Sequence, residues 1–465
     1  MSNIRFTNLT GAVEIGSNCY LLEIEGRRIL LDTGSHPKKE GNDALPRLDL
    51  IPDDSVDAII MSHAHQDHIG SLPVAMRRQR RAPVLMTSAT ALIGDVMLHN
   101  SVNVMIAEKS SGGPAEYPLF THREVDAGSK RWQGRPLHQR FDLHGERAGA
   151  GENEVTVEFF DAGHILGSAG TVIRGGGRTV FYAGDVQFDD QTISRAAAFP
   201  DFGDAEPCDV MIMESTRGDR AKPEGFTRAG EEQRLATALN DAFARGGAVL
   251  LPLFALGKTQ ELLAMFHGFR KRGILRRDCP IYIGGLGAKL TEIYDKLTDR
   301  SARLQQGLEI MDAVDPYVVG GKNVDDLRIK PGRIFALSSG MMSEKTLSNV
   351  VARRFLSHPE HTVLFVGYAD PQSPGGILRS AKPGDLVSLG ADHPPEPVRC
   401  QVEVFNFSAH ASRETIRDYI NRARPRKLIL VHGDPGSVNW LAENIRADLP
   451  ATEVIVPEPG VPLEL

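Results

Sequence analysis

Cysteine is scarce in this chain. There are four in 465 residues (Cys19, Cys208, Cys279 and Cys400), and no two form a CxxC pair. That spacing excludes a disulfide framework and a cysteine zinc site, and it fits a reducing compartment, the cytoplasm. Long apolar runs are also lacking. The best stretch, Ala248–Leu256, is interrupted by Pro252 and falls far short of the roughly 18 residues that cross a bilayer. Met1–Thr10 carries no basic segment leading into an apolar core, so no secretory signal is expected. No fixed-period repeat or low-complexity tract is present. Positive charge is not in excess: 53 Lys+Arg against 60 Asp+Glu give −7, which excludes polyanion binding by bulk charge. Basic residues cluster only locally, at Arg77–Arg81, Lys130–Arg140, Arg270–Arg277 and Arg422–Lys427. What remains, 41 % apolar and 24 % charged residues, is the composition of an ordinary globular chain with length for about two or three domains.

Strand and helix signals alternate, which predicts an α/β fold. Apolar runs at Cys19–Ile24, Arg28–Asp32, Ala58–Met61 and Pro83–Thr87 read as strands. Ser88–Lys109 reads as a helix with Ser88 as N-cap. Ser110–Gly151 is polar and poorly periodic and reads as a long loop. After Asp209–Glu214 the texture becomes helix–strand alternation of the parallel-sheet kind, with strands at Ala248–Leu251, Pro280–Ile283, Arg333–Leu337 and Thr362–Val366. From Val398 a strand, a histidine loop, a helix and the run Lys427–Val431 resemble a return to the first domain. The expected division is 1–215, an inserted domain at 216–385, and 386–465.

The strongest chemical signal is Ser62-His63-Ala64-His65-Gln66-Asp67-His68-Ile69-Gly70, directly after an apolar strand. Imidazole and carboxylate donors at this density suit zinc better than magnesium. In a loop leaving a strand, His63 and His65 can face one way and Asp67 and His68 another, so one loop can serve two metals. Asp32, His164, Asp185, His410 and His432 each stand at or near the end of a strand-like run. Several strands ending in metal-competent groups point to one sheet edge carrying a site. Gly257-Lys258-Thr259 is not a phosphate-binding P-loop, because Pro252 stands where the motif needs its first glycine. Lys258 reads instead as part of a helix start.

His63–His68, Leu31-Asp32-Thr33-Gly34, Gly163–Ser168 and Ala183-Gly184-Asp185 together resemble the metallo-β-lactamase fold, an αββα sandwich with metals at one edge. Glu214-Ser215-Thr216, Pro252–Leu263, Ser338-Ser339-Gly340-Met341, Phe407–Ala411 and Val431-His432-Gly433 resemble its β-CASP subfamily, nucleases related to the cleavage-and-polyadenylation endonuclease and the J-type ribonucleases. The resemblance implies the αββα sandwich with an inserted parallel-sheet domain. It implies two divalent metal ions, zinc foremost: one on His63, His65 and His164, a second on Asp67, His68 and His432, with Asp185 bridging. Asp32 would orient a ligand. His410, partnered by Glu214, would be the general acid, and Asp185 is counted with them as catalytic. Ser339, Gly340, Ser408 and Ala409 are the candidate phosphate-binding positions.

The chemistry agrees. Phosphodiester hydrolysis builds negative charge on phosphoryl oxygens, and two close metals can stabilise it and acidify a bridging water. With its carboxylates and a hydroxide such a site stays near about +1, attractive to phosphate in an acidic protein. These readings lead to an RNA phosphodiesterase leaving 5′-phosphate and 3′-hydroxyl ends. RNA is the expected partner, a homodimer the candidate assembly, and no membrane is involved. His432 favours RNA over DNA by the same resemblance. The competing expectations are a hydrolase of small esters or thioesters on the same fold, and a non-catalytic subunit of an RNA-processing complex.

Overall fold

The computed structural model describes residues 4–148, 154–203, 206–320, 324, 326–391 and 393–465. The chain divides into two compact units. The first comprises Met1–Asp190, Ala196–Lys222 and His410–Leu465, and the second Gln191–Arg195 and Pro223–Ala409.

The first unit contains two seven-stranded sheets. Strands Arg5–Asn8, Tyr20–Ile24, Arg27–Leu31, Ala58–Ile60, Val84–Thr87 and Trp132–Arg135 lie side by side in one, with Pro462–Glu464 on the far edge beside Arg5–Asn8. The other runs Glu453–Ile455, Lys427–Val431, Val210–Glu214, Arg178–Tyr182, Ala169–Gly175, Thr156–Asp161, Arg140–Asp142. Side chains on a strand alternate between faces, and the sequence is apolar on both faces where both are covered. Val210 and Ile212 pack inward with Phe6, Leu22, Leu31, Ile60, Phe159 and Tyr182 between the sheets. Met211 and Met213 face outward onto Ile416, Ile420, Val438 and Leu441 of helices Arg413–Ala423 and Pro435–Asp448. Helix Ser88–Ser110 accompanies the other sheet, and its N-cap is Thr87, whose hydroxyl accepts from Thr90 N, rather than Ser88. The unit is an αββα sandwich.

Ser110–Gly151 is not a loop throughout. Thr121 and Glu124 form a reciprocal capping box that starts helix His122–Ser129, and strands Trp132–Arg135 and Arg140–Asp142 extend the two sheets. The capping box is legible in the sequence, but the polar strands carry no apolar alternation because they lie at sheet edges. Residues 149–151 of that stretch lie outside the described residues.

The second unit is a six-stranded sheet in the order Tyr317–Val319, Ile281–Gly284, Ile334–Leu337, Val249–Pro252, Thr362–Phe365, Gln401–Val404, with every neighbouring pair parallel. The expected return to the first domain at 386 is displaced: Gln401–Val404 pairs with Thr362–Phe365, and the first unit resumes at His410. Which neighbour a short strand chooses is a long-range matter that its own pattern does not reveal. In this unit the buried Glu261 carboxylate accepts from the backbone N–H groups of Thr192, Ile193 and Ser194, which holds the short segment Gln191–Arg195. No helix among the described residues is long and apolar enough to cross a membrane.

Helices Arg413–Ala423 and Pro435–Asp448 are joined by a paired contact: Arg417 Nη2 donates to Asp448 Oδ1 at 2.6 Å and Asn421 Nδ2 to Oδ2 at 2.9 Å. The Arg417 and Asn421 hydrogen bonds hold the Asp448 carboxyl at about 2. A depressed acid stabilises the fold above its unfolded pKa, and that contribution is lost as pH falls through the folded value. The pair is partly exposed, so its worth is about 1 kcal/mol. Asp448→Asn is expected to lower stability by about that amount at pH 7, with the difference from wild type closing between about pH 4 and pH 2, as read from urea unfolding curves.

Candidate metal centre

The candidate residues lie just past the ends of strands. Asp32 follows Arg27–Leu31, the histidine loop follows Ala58–Ile60, His164 stands between Thr156–Asp161 and Ala169–Gly175, Asp185 follows Arg178–Tyr182, and His432 follows Lys427–Val431. Glu214 is the last residue of its strand. Asp32 and His432 hold left-handed backbone, φ 57° and 50°, a conformation that costs a non-glycine residue energy and concentrates at functional sites. Gly34 matters for its missing side chain. A Cβ there would stand 1.7 Å from the Asp67 carbonyl oxygen, so only glycine lets the histidine loop pass this close.

Three sets of donors come together. His63, His65, His164 and Asp185 form one, Asp67, His68 and His432 a second, and Asp185, Glu214 and His410 a third, with each set's ligand atoms within 4.8 Å of one another. Asp185 belongs to two of these and faces the remaining one. Its Oδ2 is 3.5 Å from His63 Nε2 and 3.6 Å from His164 Nε2, while its Oδ1 is 3.3 Å from His68 Nε2 and 3.0 Å from His432 Nδ1. His432 Nε2 lies 3.2 Å from Asp67 Oδ2.

Two features test whether these groups suit a cation. His65 Nδ1 lies 3.1 Å from His63 Nε2 and 3.0 Å from His164 Nε2, and two ring nitrogens at that distance can share only one proton. Asp185 Oδ1 is buried with no hydrogen bond of good geometry, whereas buried polar atoms ordinarily have one. Converging lone pairs and an unsatisfied carboxylate oxygen fit a divalent metal.

The electrostatics carry the same signature. Burial pushes His63 well below the usual imidazole range, with charge on His68 adding to it, and burial brings His65 down to about 4. Burial opposes charge on His68 and His432 too. Asp185 outweighs it for both, aided by Asp67, so His68 is held well above its usual range and His432 rises to about 10. Burial would raise Asp67 and Asp185, yet the facing imidazoles hold both well below the carboxylate range. Imidazole and carboxylate thus favour each other's charged forms, and metal and protons compete for these donors.

Asp32 is fully buried and accepts from Ser62 N at 2.7 Å, Ser62 Oγ at 2.6 Å and Tyr182 OH at 2.6 Å, with His68 Nδ1 at 2.7 Å. The carboxylate accepts a hydrogen bond from His68 Nδ1–H and turns Nε2 toward Asp185, the arrangement by which carboxylates orient ligating histidines. Asn18, with Nδ2 3.1 Å from His68 Nε2, and Thr216, with Oγ1 3.0 Å from His432 Nδ1, also border the site. Neither they nor Tyr182 can be picked out from sequence, since single polar residues reaching across sheets leave no local pattern. Ser62, by contrast, adjoins the histidine motif.

His410 sits beside this cluster. Its Nδ1 is 3.1 Å from Glu214 Oε2, and its ring centroid is 4.6 Å from that of His164. Burial lowers its pKa, but Glu214 and then Asp185 outweigh burial and raise it. Gln187 Nε2 donates to the His410 carbonyl at 3.2 Å. The four candidate phosphate-binding residues belong to the second unit. Ser339 and Gly340 follow strand Ile334–Leu337, where Ser339 Oγ accepts from Ser343 N and Gly340 packs on the Phe254 ring. Ser408 and Ala409 follow Phe407, whose carbonyl accepts a hydrogen bond from Lys258 Nζ. Lys258 is the first residue of helix Lys258–Lys271, so it both begins the helix and holds the chain that leads into His410.

The orienting role of Asp32 has a measurable consequence. Asp32→Asn keeps the shape but cannot accept all four donors. It is expected to weaken metal affinity by about 10–100-fold, read by competition with a chromophoric chelator.

Three segments of the chain match known families: residues 12–223 the Metallo-beta-lactamase superfamily, residues 259–378 the Beta-Casp domain, and residues 395–457 the Zn-dependent metallo-hydrolase RNA specificity domain. Cleavage and polyadenylation specificity factor 73 of Drosophila melanogaster is 28 % identical over 432 residues, which cover 92 % of this chain and 59 % of that protein. Endoribonuclease YSH1 of Saccharomyces cerevisiae is 26 % identical over 451 residues, covering 95 % and 56 %. The chain thus spans somewhat over half the length of these relatives. A crystal structure of a protein of unknown function from Enterococcus faecalis V583 matches over 100 % of both chains with a TM-score of 0.58 at 14 % identity, a likeness of fold. With its sandwich, its donor cluster and its three matched segments, the chain belongs to the β-CASP branch of the metallo-β-lactamase superfamily.

Proposed function

We propose that this protein is a metal-dependent ribonuclease that cleaves RNA phosphodiester bonds, leaving 5′-phosphate and 3′-hydroxyl ends. The observation that carries the reading is Asp185, whose two oxygens face two separate histidine sets while His410, paired with Glu214, stands beside it. His63, His65 and His164 would hold one divalent ion, Asp67, His68 and His432 a second, and Asp185 both. An imidazole-rich donor set favours zinc. The bound cations supply Lewis-acid charge for the phosphoryl oxygens and acidify water.

The chain's own residues do the rest. Water's oxygen forms the new bond to phosphorus as the bond to the 3′-oxygen breaks, and the leaving oxygen needs a proton. With Nδ1 held by Glu214, His410 donates that proton from Nε2. Glu214 and Asp185 raise its pKa against burial, the direction that favours the protonated imidazole a general acid needs. Glu214 is itself fixed, its Oε1 accepting from Val186 N at 2.7 Å. Ser339, Gly340, Ser408 and Ala409 are proposed to meet the substrate's phosphates. RNA as substrate is supported by the description of the 395–457 segment and by the relatives' names, and those names favour internal cleavage. Four buried, unpaired cysteines support a reducing compartment, the cytoplasm.

His410→Ala is expected to lower cleavage of end-labelled RNA by about 10²–10⁴-fold while leaving the metal content, read by elemental analysis, unchanged. Full activity in this variant would overturn the acid assignment. Failure of the zinc-loaded wild type to cut RNA, with prompt turnover of a thioester, would overturn the ribonuclease reading.

A further inference from the structure

The second unit carries an aromatic ladder that runs out to an open sheet edge. Strand Tyr317–Val319 is the last in its sheet and pairs only with Ile281–Gly284. Register places Tyr282 opposite both Phe335 and Tyr317, so the three rings share one face. They stack in series. Phe335 and Tyr282 have centroids 5.0 Å apart at 25°, and Tyr282 and Tyr317 5.0 Å apart at 23°. Burial falls along the series, from Phe335 at 0 % exposure through half-buried Tyr282 to Tyr317 at 58 %. Phe335 is a core residue packed toward Phe355, and it anchors the stack. Among the described residues no ring or cation covers the outer face of Tyr317, and the adjoining Val318 is 53 % exposed.

One cation lies against the middle ring of the same ladder. The Arg333 guanidinium lies 5.4 Å from the Tyr282 centroid, and its Nη1 donates to the Arg328 carbonyl at 2.8 Å. Arg328 and Lys330 are exposed. None of these three pairs with a carboxylate among the described residues. A cross-strand aromatic pair inside a sheet is ordinary packing. A ladder that continues past the core, ends on an uncovered tyrosine and carries a guanidinium on its middle ring, with two exposed cations close by in sequence, is suited to a negatively charged polymer with planar bases. Every nucleobase has a face to stack, and phosphates meet the cations.

We infer that Tyr317, supported by Tyr282 and Phe335, is a base-stacking platform for single-stranded RNA, with Arg333, Arg328 and Lys330 facing its phosphates. This rests on the ribonuclease reading and adds a binding surface that the cleavage chemistry does not require. Base stacking on one aromatic is worth about 5–150-fold in affinity and is insensitive to salt, whereas a phosphate contact contributes a slope of about 0.7 in log K against log salt concentration.

The test uses the full chain loaded with zinc and carrying His410→Ala, so that a fluorescein-labelled oligoadenylate 12-mer survives. Anisotropy titrations compare this parent with Tyr317→Ala, Tyr317→Leu and Tyr317→Phe added to it. The expected result is a loss of about 5–150-fold for Ala and Leu, affinity within about twofold for Phe, and an unchanged salt slope. Arg333→Met should instead make the slope shallower by about 0.7. Equal unfolding midpoints for Tyr317→Leu and the parent separate stacking from misfolding. If the parent binds RNA and Tyr317→Ala and Tyr317→Leu bind it equally well, the platform is overturned and the ribonuclease reading stands. If the parent binds no RNA, the ribonuclease reading fails first. If light scattering shows Tyr317→Ala turning a dimer into a monomer, the edge joins two copies of this chain, and the platform is overturned.

Discussion

The Asp185 carboxylate is the contact on which the centre turns. Buried charge is costly unless it is paired, and here a nearly fully buried carboxylate stands among four imidazoles contributed by three separated parts of the chain. Such an arrangement can exist only if the backbone around it is rigid. The sandwich supplies that rigidity. Its central strands are apolar on both faces, and most of the candidate ligands stand just beyond the strand ends. Asp32 extends the same logic outward: a second buried carboxylate, satisfied by a serine, a tyrosine and a backbone N–H, uses its remaining acceptor capacity to set the ring of His68.

Inside the second unit a single helical turn holds two distant segments of chain. Lys258 and Glu261 lie three residues apart in helix Lys258–Lys271, so they share roughly one face. Glu261 grips the segment Gln191–Arg195, and Lys258 grips the carbonyl of Phe407. One helix N-terminus therefore holds two separate segments of the second unit.

How much of this is legible in the sequence depends on whether the signal is local. The histidine loop is plain because its ligands are adjacent in sequence and follow an apolar strand. Asp185, His164, His410 and His432 become readable as candidates through their positions after strand-like runs and through the family resemblance. Tyr182, Asn18 and Thr216 are not readable, since each acts through one hydrogen bond reaching across strands. The strand Gln401–Val404 is visible as a strand but its pattern does not say which unit it joins, because parallel pairing is decided by distant partners. The helix at His122–Ser129 reads as loop although Thr121 and Glu124 spell its capping box, because the surrounding glycines and arginines mask its short apolar face.

The interleaved chain path also sets an order of events during synthesis. Strand Lys427–Val431 fits between Val210–Glu214 and Glu453–Ile455, and His432 is the last of the candidate ligands to be translated. At about 5–20 residues per second, Glu214 leaves the ribosome on the order of tens of seconds before its neighbouring strand exists. During that interval the half-built sheet presents an open apolar edge, while the second unit, Pro223–Ala409, is emerging with a parallel sheet that lacks nothing from downstream. Until Lys427–Val431 emerges, that edge has the unpaired N–H and C=O groups that make open strands prone to pair with other chains.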